Sequence, residues 1–179
     1  MRPEPGQVLH FSENREITRF EPHVAATAQQ PEAYVWAVAA ASSPSYWFPR
    51  QCPRAMAWVG PQTSPGDRDR IVGAGCGDRV HAIEYGWLER IRTARVYAYR
   101  FSADQFVPFG EPAPHAYVAT EPVVPLGPAE PVGDLFALHE GAHIQLRVLV
   151  NLWEFWDAVV ASTLEFSGIR LDNASPRPT

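Results

Sequence analysis

Residues 144–171 read IQLRVLV, then N, then LWEFWDAVVAST, then LEFSGIRL. Ile144, Leu146, Val148 and Val150 recur at period two, the spacing of a strand with one buried face. Asn151 is placed to cap a helix over 152–163, in which Trp153, Phe155 and Trp156 supply the bulk that a helix needs to pack on a sheet. Residues 166–171 then return as an extended segment that closes the sheet. A strand, an amphipathic helix and a second strand within this one stretch define a layer of helix on sheet.

Upstream, the same reading yields short and irregularly mixed elements. Strands are expected at 8–11, 33–39, 55–59, 80–85, 95–101 and 116–120, with a further extended piece at 123–126. Residues 33–39 (AYVWAVA) form a near-continuous apolar run, which predicts a strand covered on both faces. Pro44 after Ser42 and Ser43 predicts one short helical turn at 45–48. Trp87, Leu88 and Ile91 predict a helix over 86–93, and Leu135, Phe136 and Leu138 another over 133–141. Residues 60–79 are rich in Gly, Pro, Asp and Arg without any period, and read as an exposed loop or lid. Strands and helices do not alternate steadily, so a doubly wound fold is excluded. The expectation is one α+β domain over residues 1–173, a mixed or antiparallel split β-sheet with short helices packed on it. Residues 174–179, polar and proline-rich, are expected to be a disordered tail.

Composition narrows the function. With 46% hydrophobic and 20% charged residues in 179, the chain suits a buried core and is not disordered throughout. No apolar run approaches the ~18 residues of a membrane span, and no signal-peptide segment opens the chain, so a cytoplasmic protein is expected. The net charge of −5 gives no basic footprint, which disfavours nucleic acid as a partner. Every basic residue is Arg, so lysine Schiff-base chemistry and the lysine-bearing phosphate loop are excluded. Cys52 and Cys76 make no CxxC pair and read as free thiols.

Two motifs match literally. His139-Glu140-Gly141-Ala142-His143 fits HExxH, in which histidines four apart on one helix face bind zinc and the Glu acts as general base. Glu165 lies downstream as a third ligand for a zinc-dependent hydrolase. Yet Gly141 interrupts the motif and strand alternation starts at Ile144, so a helix end with His near the negative pole is the simpler reading. No metal ligand is therefore expected. Residues 71–77 (IVGAGCG) look like a nucleotide-binding glycine loop, but no buried strand precedes them and no helix follows. A plain loop is expected there.

A third set of residues is spread along the chain: His10 in Leu9-His10-Phe11-Ser12, Trp36 in Tyr34-Val35-Trp36-Ala37, Tyr46 after Ser42-Ser43-Pro44-Ser45, and Glu121 in Glu121-Pro122-Val123-Val124-Pro125. In this order they resemble the signature of the ADP-ribosyltransferase superfamily, whose split sheet holds NAD. The resemblance implies that His10 holds the adenosine-side ribose and that Trp36, in place of the usual tyrosine, occupies the first aromatic position. It implies that Tyr46 stacks on the nicotinamide and that Glu121 is the catalytic carboxylate, with Glu84 as its rival. An anion beside the reacting ribose stabilises developing positive charge, and a π-face holds a planar ring. Arg50, Arg54, Arg147 and Arg170 are candidate anion contacts.

The chain as a whole also resembles a family of small uncharacterised bacterial proteins, which implies no activity. The leading expectation is an ADP-ribosyltransferase-like domain that binds NAD or a related nucleotide, its acceptor unknown. A phosphotransferase acting on RNA 2′-phosphate is the nearest variant. The zinc-dependent hydrolase and a non-enzymatic protein-binding module are the alternatives.

Overall fold

The computed structural model describes residues 3–24, 31–75, 77–110 and 114–178. Among them run the strands β1 (Gln7–Ser12), β2 (Val35–Ala37), β3 (Arg54–Trp58), β4 (Arg79–Glu84), β5 (Tyr97–Ser102), β6 (Val107–Phe109), β7 (Ala116–Ala119), β8 (Glu130–Pro131), β9 (Ile144–Leu149) and β10 (Glu165–Ile169). The α-helices are α1 (Pro65–Asp67), α2 (Leu88–Thr93), α3 (Leu135–Gly141) and α4 (Trp153–Val160). The fold is α+β, as the sequence predicts. Its contacts divide into two units, one built from residues up to Arg50 with Arg95–Gly133, the other from Gln51–Ala94 with residues from Asp134 onward.

The first unit holds two antiparallel three-stranded sheets, ordered β1-β5-β8 and β2-β7-β6. A pair of backbone bonds between Leu9 and Val38, at 2.9 and 2.8 Å, ties β1 to the end of β2. Val8, Tyr99 and Phe101 meet Phe20, Val35, Ala37, Phe106, Ala119 and Val123 in one core. Strand β2 buries Val35 and Ala37 but leaves Trp36 half-exposed, so it is covered on one face and not on both. Within 123–126, Val123 exchanges bonds with Phe20, and the Leu126 amide donates singly to the Arg100 carbonyl at 2.8 Å. Pro122 and Pro125 have no N–H to extend the expected piece at 123–126 into a ladder.

The second unit is one mixed sheet ordered β10-β3-β4-β9, antiparallel except for the parallel pair β4/β9. The small residues Ala55, Ala57 and Ala82 let α4 lie close on one face, where Leu152, Phe155 and Val159 cover them. Gly168 extends this approach, because a Cβ there would meet the Trp156 ring at 2.7 Å. On the other face His139 of α3 reaches His81 of β4. Strand β4 is consequently buried along Val80–Glu84, the condition of a central strand with helices on both sides.

Two expectations change here. The stretch that begins at Gly60 is largely exposed, as expected, but it is not structureless: after Ser64 caps α1 with Pro65 at its first position, the chain continues as a π-helical run, Arg68–Val72, that buries Ile71 and Val72. Asp67 pins this segment by accepting the Thr163 amide at 2.9 Å and the Thr163 hydroxyl at 2.7 Å. Residues 175–177 of the expected tail are also held. Asn151 Nδ2 donates to the Pro176 carbonyl at 2.9 Å, Trp153 Nε1 donates to the Ser175 carbonyl at 2.7 Å, and Arg177 forks onto Asp157.

Candidate functional site

His10 sits in β1 opposite Tyr99 and lies with its ring 4.8 Å from Phe20. Its Nδ1 is 2.7 Å from the Trp36 carbonyl, a group that only accepts. Nδ1 therefore carries the proton, and Nε2 is the bare acceptor. Nε2 has no hydrogen-bond partner among the described residues. Burial pushes the His10 pKa down to about 4, against the Trp36 bond that favours the cation, and nearby Arg50 and His23 push the same way as burial. The imidazole is thus neutral at pH 7 and its tautomer is set by the fold. Arg50 keeps its guanidinium in solvent, while its amide donates to Glu13 at 3.1 Å.

The other candidates of this set are placed around the same unit. The Trp36 backbone touches His10, but its ring packs edge-on against Phe109 (5.0 Å) and Tyr34 (5.8 Å). Tyr46 ends the short helix Ser43–Tyr46 and stacks on Phe11 at 6.3 Å and 9°. Successive residues of a strand face opposite ways, so Tyr46 lies on the face of β1 away from the His10 ring. Glu121 is exposed in the bend before Val123. The Val123–Phe20 pair draws that bend toward the side of β1 where His10 meets Phe20, but no hydrogen bond joins the Glu121 carboxylate to the imidazole.

Glu84, the rival carboxylate, belongs to the second unit and is buried at the end of β4. Oε1 accepts the Leu152 amide at 3.1 Å, and Oε2 accepts the Ser175 amide and hydroxyl, both at 2.9 Å. Leu152 opens α4, so the carboxylate lies at the positive end of that helix. It is a brace for the C-terminal segment.

The HExxH reading fails on backbone geometry. Helix α3 stops at Gly141, and His143 takes φ +54, a left-handed turn into β9. His139 is buried and His143 exposed, so the two do not share a helix face. Glu165 accepts the Trp58 indole N–H instead. Among the described residues no cluster of His, Cys, Asp or Glu is arranged to hold a metal ion. Cys76, within the glycine-rich stretch, lies outside the described residues; Cys52 is free, and burial pushes its thiol up to about 12. Of the candidate anion contacts, Arg54 is buried with Nη1 on the Cys52 carbonyl at 2.8 Å, and Arg147 donates to the Val72 carbonyl at 2.6 Å. Arg170 takes a left-handed turn at φ +56.

Sequence reasoning missed His81. The neutral chain runs Arg79 Nε–H to His81 Nε2 (2.8 Å), His81 Nδ1–H to His139 Nε2 (3.0 Å), and His139 Nδ1–H to the Leu135 carbonyl (2.7 Å). Desolvation lowers both histidines' pKa values, with Arg79 adding to it. The signal was a lone polar residue in the apolar strand VHAI, which must find a partner when buried.

These features define an α+β protein with a neutral, tautomer-fixed histidine beside a solvent-exposed arginine in one unit and a buried histidine chain in the other. The chain matches the family of unknown function DUF6886 over residues 9–174 and belongs to it. No curated protein and no solved structure matches it. No described helix is long and apolar enough to cross a membrane.

Proposed function

We propose that the first unit binds NAD or a related nucleotide through His10. One observation carries the reading: the Trp36 carbonyl accepts from Nδ1–H, leaving Nε2 as an acceptor on a neutral ring. That is the form to which a ribose hydroxyl donates. Arg50, close enough to depress the His10 pKa and itself solvent-exposed, supplies positive charge for a phosphate. The order of His10, Trp36 and Glu121 along the chain, which resembles that of ADP-ribosyltransferases, supports the same ligand; Tyr46, stacked on Phe11 on the other face of β1, takes no part in it. On this reading Glu121 is the carboxylate that stabilises an oxocarbenium-like ribose as nicotinamide leaves, and the acceptor takes the ribosyl carbon.

Isothermal titration with NAD, ADP-ribose and AMP tests binding, alongside the His10 imidazole nitrogens followed by NMR. Ligand is expected to shift Nε2 while Nδ1 stays protonated. His10→Phe keeps the ring but removes the acceptor, and is expected to weaken binding about tenfold or more. Equal binding by His10→Phe, or no nucleotide binding at roughly millimolar concentration, removes the proposal. Nicotinamide release by wild type that is lost in Glu121→Gln would extend binding to catalysis.

A further inference from the structure

We infer that the second unit carries a separate binding site for a small molecule with an anionic head and an apolar, planar body. Strands β4 and β9 are parallel, so both end at the same edge of the sheet, at Glu84 and Leu149. The carboxyl ends of parallel strands are where open sheets form ligand crevices. A cavity of about 610 Å³ opens there, lined by Tyr85, Trp87, Arg90 and Val150 together with Glu84 and the Asn173–Ser175 segment. This lies within the ~300–1,000 Å³ of small-molecule sites.

The lining specifies the ligand. Val150 is 83% exposed and Tyr85 60% exposed, so two large apolar side chains stand in water at the rim of one cavity. A planar apolar body laid between them removes that surface from solvent. Arg90 is held over the Trp87 ring at 4.7 Å and has no carboxylate partner among the described residues. Glu84 is already engaged by the Leu152 amide at the start of α4 and by the amide and hydroxyl of Ser175. Arg90 is therefore the group left to take an anion, and a guanidinium binds a carboxylate or phosphate with two parallel bonds. The stacked Trp87 orients its fork.

Phenyl phosphate is the probe, with inorganic phosphate and phenol as its two halves, titrated while the Trp87 indole and Gly86 amide are followed by NMR. Saturable shifts at both signals are expected for phenyl phosphate, with either half binding about tenfold more weakly or worse. Arg90→Gln and Val150→Asp, both at exposed positions, are each expected to reduce affinity about tenfold, with unchanged thermal midpoints. Loss in Arg90→Gln with retained binding by the His10→Phe protein separates this site from the nucleotide site. No shift at roughly millimolar probe, identical binding by Arg90→Gln, or inorganic phosphate binding as well as the ester overturns the inference.

Discussion

His81 Nδ1 lies 3.0 Å from His139 Nε2, and the donors on either side of this contact all point the same way, from Arg79 to the Leu135 carbonyl. A proton added to either ring meets a donor where it needs an acceptor. Both pKa values are accordingly held below the ordinary value of 6.5, by desolvation first. The unfolded chain takes up these protons as pH falls through about 6.5, while the fold refuses them, so stability is present above that pH and is lost below it. His10 adds to the loss down to about 4. The urea midpoint is expected to fall between pH 7.5 and pH 5; a flat profile there contradicts the neutral chain.

Removing His139 tests the same chain from one end. His139→Leu leaves the buried His81 Nδ1–H without its acceptor, at a cost of about 1–3 kcal/mol. The variant is expected to unfold at lower urea and to show a shallower acid dependence. Unchanged stability would mean that the pair is dispensable.

Glu84 accepts from Leu152 and Ser175 while buried. Glu84→Gln puts an amide NH2 where one carboxylate oxygen stood and sets donor against donor. A loss of about 2 kcal/mol is expected. The Ser175 amide should then exchange with deuterium faster than in wild type. Unaltered protection at Ser175 would show that other contacts hold the segment.

His143 turns at φ +54, where a side chain costs free energy and glycine does not. His143→Gly is expected to raise stability by up to about 1 kcal/mol. Zinc is expected to leave the thermal midpoint of both proteins unchanged, since the motif's helix ends at Gly141. A midpoint raised by zinc in wild type alone would restore the metal reading.

Gly77 lies beside this turn. It adopts φ +93, and a Cβ would collide with the His143 carbonyl oxygen. Gly77→Ala is expected to cost about 3 kcal/mol or more, from strain and overpacking together. A thermal midpoint within a degree or two of wild type would contradict this geometry.

The local elements were legible because their signals are local. The alternation through Ile144–Val148, the helix around Leu135–Leu138 and the amphipathic stretch after Asn151 each declare a period within a few residues. The π-helical run Arg68–Val72 escaped because only Ile71 and Val72 anchor it, and two adjacent apolar residues carry no period. The parallel pairing of β4 with β9 escaped because nothing in either strand encodes a partner so distant in the chain. At the candidate site, His10 was legible as a polar residue ending an apolar strand, but the Trp36 carbonyl that sets its tautomer is a backbone group with no sequence signature. The HExxH match was literal and misleading, because the helix ends where Gly141 and the left-handed His143 take the chain into β9.

Each unit is assembled from two stretches of chain, broken at Arg50, Ala94 and Gly133. No single cut therefore releases either one: a fragment ending at Ala94 owns β4 but not β9, and only the first stretch of each unit. Ribosomal synthesis meets the same constraint. The sheet of the second unit waits, with β3 and β4 already made, until residues 95–133 have emerged and β9 follows. Neither unit can be taken from this chain as one continuous segment, so each is completed only after part of the other has been made.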